Sequence, residues 1–440
     1  MIRRAIHTRA VRATGAAKVR ATGAATAARA VPILCALALG AAAQPVHASS
    51  VYSAGGLGEP ALEEQARIRA LGGAGAAEHG PRDFSLVNPA SLAEVEHLLL
   101  EATMLPALRR ISAVLPAPAA SVPGETVRET TFPSVRAAIA LPGQITLAAS
   151  YLAGTDADFH IERTESAGAA SSLEIEGTGG INYLRVSLAR RITPSFRIGL
   201  DYDVIAGSYR ETWTRTFSDS GLSTAHDSLE VTYPKRGRWR FGAQLIRGDW
   251  SIGAVYETSK ALPLETTKHT IGATDRLSGT TLTLPSGIVV GISAPVRDRL
   301  RAVAQYRRAN WDRSSLQSDL VDFRALERFS LGFERRRGTE DGMSFWRRLP
   351  IRVGGYLLRW PDLLPVAGAS DISGGTAPVN EWALTFGSGF LSQDKGGGID
   401  FSLEARSRGK RSDLGADERF IRLGVSLLLS DETWKGTFRR

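Results

Sequence analysis

A glycine-rich stretch near the N-terminus is the first candidate for chemistry. Residues 70–94 read ALGGAGAAEHGPRDFSLVNPASLAE. A loop that cradles phosphates needs the spacing G-x-G-x-x-G between a strand and a helix. Here Gly73 and Gly75 are followed at the third position by Glu78, and no buried strand precedes them. The spacing argues against a dinucleotide-binding loop and leaves two interpretations, a flexible linker or a segment that packs into a confined space.

The remaining residues with catalytic or metal-binding potential are scattered. No H-E-x-x-H and no G-x-S-x-G pattern occurs. Five histidines follow residue 48, and none has metal-ligand spacing: His79, His97, His160, His226 and His269. A catalytic pair brought together by the fold, such as His160 with Asp156, is the alternative interpretation. Positions in solvated loops explain these residues better. We therefore expect no enzymatic activity, no metal site and no cofactor.

The first 48 residues predict a signal peptide. Residues 1–29 carry seven basic residues, and no acidic residue occurs before Glu59. The apolar run AVPILCALALGAAA and the small residues after it complete the pattern of a secretory leader. This run is too short to span a bilayer as a helix. The single cysteine, Cys35, lies within the leader, so we expect neither disulfides nor cysteine-ligated metal in the mature chain.

The net charge of +9 depends mostly on this leader. Without residues 1–48 the chain keeps 47 basic and 45 acidic residues, a net charge of about +2. The basic isoelectric point is therefore no evidence for nucleic acid as a partner.

The rest of the chain is dominated by alternation with period two. In FRIGLDYDV (residues 196–204) the apolar side chains share one face and the charged residues and glycine share the other. The segments WRFGAQL (239–245) and IRLGVSL (421–427) repeat this pattern. Turn-forming sequences such as LPGQ (141–144) separate the segments. The pattern predicts a succession of antiparallel strands with one apolar face each.

A membrane barrel explains these strands better than a soluble β-sandwich. The leader exports the chain, the strands continue without a domain break, and charged residues stand in mid-strand beside glycines. A charged side chain facing lipid costs about 2–4 kcal/mol near the bilayer midplane, so these residues must face the lumen. The predicted lumen-facing charges are Arg185, Arg197, Asp201, Asp203, Arg240, Arg301, Arg352 and Arg422. Their mixed signs favour salt-bridged packing over ion selectivity.

Three segments follow from these observations. Residues 1–48 are the predicted signal peptide, residues 49–95 a plug or hatch segment, and residues 96–440 an all-β transmembrane antiparallel β-barrel of about 14 strands. Small residues in the second segment permit close backbone packing inside a barrel. The residues predicted to shape this plug are Gly72, Gly73, Gly75, Asp83, Asn88 and Pro89.

The same residues carry a resemblance to a known family. The run from Arg69 to Ala76, then Asp83, then Asn88-Pro89-Ala90 with Leu92, resembles the N-terminal signature of FadL-type outer-membrane transport proteins, a group related to barrels of the type IX secretion machinery. The resemblance implies a small hatch inside a 14-stranded barrel and a hydrophobic ligand. The sequence departs from the signature at Phe84, Val87 and Ser91, and it does not end on an aromatic residue.

Two functions remain open at this stage. The first is an outer-membrane transporter that binds fatty-acid-like molecules and passes them across the membrane. The second is a non-transporting barrel that anchors or assembles part of a secretion or envelope system. In both cases the expected partners are membrane lipid, lipopolysaccharide and the outer-membrane barrel assembly machinery.

Overall fold

The computed structural model describes residues 50–54, 57–61, 65–80, 85–113, 122–165, 171–218, 221, 224–277, 279–314, 321–338, 349–367, 369, 372–391 and 397–431. The predicted leader, Asp83 and the C-terminal residues from 432 onward lie outside this part of the chain. Among the described residues, no helix is both long and apolar enough to cross a membrane.

Fourteen antiparallel strands form a closed barrel in the described part of the chain. Each strand pairs with the strand before it, and the last pairs with the first, from Leu98 opposite Asp431 to Ala113 opposite Ala416. The strands are β1 (Leu98–Ala113), β2 (Val122–Leu141), β3 (Ile145–Ala153), β4 (Ser171–Arg191), β5 (Phe196–Phe217), β6 (Gly237–Arg247), β7 (Trp250–Glu257), β8 (Gly287–Arg297), β9 (Leu300–Ala309), β10 (Leu326–Arg335), β11 (Ile351–Pro365), β12 (Thr376–Leu391), β13 (Gly398–Arg408) and β14 (Ala416–Asp431).

The two faces of the wall follow the alternation in the sequence. On β5, Phe196 and Ile198 are exposed on the outer face, whereas Arg197, Asp201 and Asp203 are buried on the inner face. A closed barrel leaves no unpaired strand edge, and such a closed wall is required in lipid. The predicted transmembrane antiparallel barrel of about 14 strands is thus confirmed.

The two ends of the barrel differ in their connections. One end, which we call the short-turn end, carries the connections at residues 142–144, 192–195, 248–249 and 298–299. The other end, the long-loop end, carries extensions that build further short strands: Thr155–Asp156, Phe159–Glu165, Ala225–Thr232, Lys260–Pro263, Glu265–Thr270, Ala273–Leu277, Thr281–Leu284 and Asp322–Phe323. Short helical elements are Val51–Ser53, Ala66–Arg69, Pro89–Glu94, Trp311–Arg313, Ile372–Gly374 and Arg411–Leu414.

The described residues between 50 and 97, which we call the N-terminal segment, run along the inner face from one end to the other. At the long-loop end, Glu59–Pro60 pairs with Thr155–Asp156. The helical turn Ala66–Arg69 lies against β12, β13 and β14, and the 3-10 helix Pro89–Glu94 lies against β4 and β5. The segment then enters β1 at Leu98, at the short-turn end.

Candidate functional site

Glycines of the N-terminal segment touch the barrel wall directly. Gly72 has φ +68°, and a Cβ built on it would lie 2.4 Å from the carbonyl oxygen of Gly355 on β11. The amide of Gly72 donates to Thr385 Oγ1 on β12 at 3.1 Å, and this hydroxyl donates to the carbonyl of Ala70. The position requires glycine for both its backbone conformation and its space.

One glutamine of the wall binds the next part of the segment. The amides of Gly75 and Ala76 donate to Gln305 Oε1 on β9, at 2.9 and 2.8 Å. Gln305 Nε2 in turn donates to the carbonyl of Gly73 at 3.1 Å. The side chain therefore satisfies three backbone groups of a buried turn, which would otherwise be costly to leave without partners.

Glycines occupy the inner face of the wall where the N-terminal segment approaches it. A Cβ built on Gly253 would lie 1.9 Å from the carbonyl oxygen of Ala76, and one on Gly354 would lie 2.5 Å from the amide nitrogen of Gly72. A Cβ would also come within 3 Å of a residue of the segment if it were built on any of four other inward-facing wall glycines: Gly199, Gly242, Gly332 and Gly387. A glycine within a strand often marks the close approach of another backbone, so the wall and the segment are complementary in shape.

Asn88 holds the second turn of the segment. Its Nδ2 donates to the carbonyls of Ala76 at 2.8 Å and Ala243 on β6 at 3.1 Å, and its Oδ1 accepts from the amide of Ala90 at 3.0 Å. Pro89 follows as the first residue of the 3-10 helix, where a missing amide hydrogen costs nothing.

Buried ion pairs fill the space on either side of these contacts. Glu78 of the segment lies 3.1 Å from Arg67 and also pairs with Arg301 on β9. Arg301 and Arg352 both contact Glu334 on β10, at 2.6 and 2.7 Å. The side chains are almost fully buried, so each charge depends on its partners to offset the loss of water.

A second cluster surrounds Glu59 at the long-loop end. Its carboxylate lies 2.9 Å from Arg109 and 2.7 Å from Arg408. Burial alone would raise the pKa of Glu59, but Arg408, Arg109 and the neighbouring Arg406 and Arg422 hold it well below its usual range. The N-terminal segment is therefore attached to the wall here by a carboxylate whose ionised form these arginines stabilise.

A third cluster anchors the segment through its carbonyls. Arg185 contacts Asp203 at 2.6 Å and donates to the carbonyl of Leu86 at 3.2 Å. Arg240 contacts Asp201 at 2.9 Å and donates to the carbonyl of Val87 at 2.8 Å. These arginines neutralise carboxylates of the wall and bind the segment at the same time.

The structure places all the lumen-facing charges named from the sequence on the buried inner face: Arg185, Arg197, Asp201, Asp203, Arg240, Arg301, Arg352 and Arg422. Arg197 pairs with Glu94 of the segment, and Arg422 with Glu129 at 2.8 Å. Four residues that contact the segment or fix it to the wall are not predicted from the sequence: Gln305, Glu59, Glu78 and Arg109. Arg109 shares the period-two face of the other inward residues, a signal that could have identified it.

A cavity remains between the segment and the wall at the long-loop end, with a volume of about 80 Å³. Its apolar lining comes from Leu57 and Pro60 of the segment and from Leu284, Trp311 and Leu326 around them. Its charged lining consists of Arg238, Arg307, Arg328 and Glu257. The combination suits an amphipathic molecule with an acidic head.

A larger apolar hollow, about 970 Å³, lies on the outer face instead. Its lining includes the outward side chains of Val290, Tyr306, Leu331, Leu357 and Leu384. Since these residues alternate with the buried inner row, the hollow belongs to the apolar outer surface and is no part of the lumen.

Comparison with known proteins supports the fold. The sequence model of the family described as BamG matches residues 28–232, and no curated protein matches the sequence significantly. The Ralstonia pickettii toluene transporter TbuX is 17% identical, with a TM-score of 0.53 over 84% of this chain and 99% of that chain. A Pseudomonas aeruginosa FadL homologue is 12% identical, with a TM-score of 0.55 over 85% of this chain and 98% of that chain.

A third structure, the TodX deltaS2S3 mutant monoaromatic hydrocarbon channel, is 15% identical, with a TM-score of 0.55 over 83% of this chain and 98% of that chain. At such identities the likeness concerns the fold. The chain has the fold of the FadL-type outer-membrane barrels, and the resemblance predicted from its N-terminal signature is confirmed.

Proposed function

We propose that the protein is an outer-membrane barrel that binds hydrophobic, fatty-acid-like molecules at the long-loop end of its lumen and passes them across the membrane. The cavity between Leu57–Ala61 and the wall carries this proposal, because it joins an apolar lining to a group of arginines. In outer-membrane barrels the short turns face the periplasm and the longer loops face outward, so the cavity lies on the side from which a ligand arrives.

The charges of the cavity favour an acidic head group. Arg238 is 3.2 Å from Asp203, and Arg307 is 3.3 Å from Glu257. The cavity is lined by three arginines and one glutamate. A carboxylate added to this site gains charge-assisted hydrogen bonds from guanidinium groups that already lie there.

The cavity must enlarge before it accepts such a ligand. Its volume of about 80 Å³ is well below the roughly 300–1,000 Å³ of ordinary ligand pockets. The segment that closes it is held by the pairing of Glu59–Pro60 with Thr155–Asp156 and by the amide of Ala61, which donates to the carbonyl of Gly154 at 3.0 Å. Ligand binding is therefore coupled to movement of residues 57–61.

A non-transporting barrel is the second candidate, and the packing of the N-terminal segment favours it. Ion pairs and backbone contacts join this segment to the wall at the levels of Glu59, Glu78 and Glu94. Such a filled lumen suits an anchor or an assembly partner of an envelope system. This candidate predicts neither saturable ligand binding nor flux.

Binding of a fluorescent fatty acid to the purified protein in detergent separates the two candidates. We expect saturable binding, at least tenfold weaker in Leu284→Trp, which fills the cavity. Leu188→Trp makes the same chemical change on the exposed outer face and should leave the affinity unchanged. Arg307→Gln should weaken binding of a fatty acid more than binding of a neutral hydrocarbon of equal length.

Flux into liposomes is then measured with the same ligand. Saturable binding together with flux above that of protein-free liposomes supports transport. Failure to bind any of these ligands would refute the transport proposal and favour the anchoring role.

A further inference from the structure

A row of outward-facing residues crosses four neighbouring strands near the long-loop end. Trp382 on β12 pairs in register with Ser407 on β13, Ser407 with Arg419 on β14, and Arg419 with Arg110 on β1. The four side chains therefore form one cross-strand row on the outer wall, on both sides of the junction that closes the barrel.

Beneath this row lies an apolar groove of about 750 Å³. Ala405 lies at its floor, one register step further from the long-loop end, directly opposite Ile421 of β14 and diagonal to Trp382 of β12. Leu108 of β1 stands opposite Ile421, and these three larger side chains are about half exposed. The small side chain of Ala405 leaves a depression between these larger side chains.

The described wall residues offer little negative charge to the arginines above the groove. Arg110 and Arg419 are direct cross-strand neighbours, an arrangement that is destabilising for like charges. Within the described part of the chain, Arg419 contacts the carboxylate of Asp417 at 3.8 Å, and Asp417 already lies 2.9 Å from Arg411. The Arg419 side chain is 78% exposed. Arg128, paired with Leu108, adds a third exposed cation beside the groove.

We propose that this groove binds a phosphorylated glycolipid of the outer leaflet, the class to which lipopolysaccharide belongs. Its phosphates lie on Arg110 and Arg419, and one acyl chain lies over Ala405. Guanidinium groups bind phosphate through paired, charge-assisted hydrogen bonds, and Trp382 is the residue type that favours a membrane interface. The inference rests on the proposed outer-membrane location with the long-loop end outward, and it is independent of any ligand in the lumen.

Titration of the purified, detergent-solubilised protein with bis-phosphorylated lipid A, followed by native mass spectrometry, tests the groove. We expect Arg110→Gln/Arg419→Gln to bind about 30-fold more weakly, which corresponds to roughly 1 kcal/mol for each arginine near an anionic lipid surface. Arg190→Gln is the matched control, because Arg190 is an exposed outward arginine at the short-turn end. Arg359→Gln is a second control at the long-loop end, where Glu327 already neutralises Arg359 at 2.9 Å.

The chemistry of the head group is tested with lipid A that lacks both phosphates and with phosphatidylglycerol. We expect the parent protein to bind both of them more weakly than bis-phosphorylated lipid A, and the double variant to show no such preference. Equal binding of the three lipids by the parent protein, or an equal loss in Arg190→Gln, would overturn the proposal. Heat-modifiable migration on gels checks that each variant is folded, and fatty-acid binding by the double variant should equal that of the parent protein.

Discussion

Replacement of Gln305 by methionine tests the attachment of the N-terminal segment to the wall. Methionine nearly preserves the side-chain volume, so the core packing changes little. The variant loses the hydrogen bonds to the amides of Gly75 and Ala76 and to the carbonyl of Gly73. These three backbone groups are buried, and each costs about 1–3 kcal/mol when it is left without a partner.

At the lower end of that range, the loss is about 3 kcal/mol for the three groups. Such a loss raises the equilibrium constant for local opening about 100-fold. Hydrogen–deuterium exchange of the detergent-solubilised protein measures this directly, because the amides of Gly75 and Ala76 exchange only when the turn opens. We expect their exchange to accelerate by about two orders of magnitude, whereas the amides of the barrel strands keep their protection.

Ser330→Ala is the matched control. Ser330 is the cross-strand partner of Gln305, and its buried hydroxyl has no hydrogen-bond partner among the described residues. This substitution should leave exchange at residues 73–76 unchanged. If Gln305→Met exchanges at the rate of the parent protein, or if Ser330→Ala accelerates exchange equally, the glutamine does not hold the segment and our reasoning is wrong.

Four further predictions concern other parts of the chain. Gly354→Ala should displace the N-terminal segment at a cost of about 1–3 kcal/mol and raise single-channel conductance in planar bilayers. Gly397→Ala should do neither, because a Cβ at Gly397 would lie 3.4 Å from its nearest neighbour, an ordinary contact. Equal conductances of the two variants would contradict the complementarity of wall and segment. Burial, together with the charges of Asp158 and Glu59, raises the pKa of Asp156 to about 7. Because this folded-state pKa exceeds the unfolded value near 4, stability is lost as the pH rises through about 7. The protection factors of the amides around Asp156, which are corrected for the intrinsic rise of exchange with pH, should therefore fall from pH 5 to pH 8, and Asp156→Asn should abolish this fall. Cysteines placed along residues 196–204 should react alternately with lipophilic and polar reagents, and uniform labelling would argue against the lipid-facing assignment. N-terminal sequencing of membrane-purified protein should begin near Ser49, and a start at Met1 would exclude the predicted leader.

The barrel itself could be predicted from the sequence because strand geometry links side-chain direction to sequence position. Residues two apart share a face, so Phe196 and Ile198 on one side and Arg197 and Asp201 on the other specify lipid and lumen without knowledge of any neighbouring strand. The glycines at 72, 73 and 75 likewise indicate close packing, since they remove the side chains that would prevent it. The roles of the signal peptide and of a plug remain predictions.

The partners of these residues depend on the tertiary structure. Glu59 meets Arg408 across 349 positions of sequence, and Gln305 meets Gly75 across 230. No local pattern encodes such pairings, because they follow from the register of neighbouring strands and from the path of the N-terminal segment through the lumen. Arg110 and Arg419 become neighbours only when β1 and β14 close the barrel. The sequence alone determines which face each residue takes, and closure of the wall decides which residues meet there.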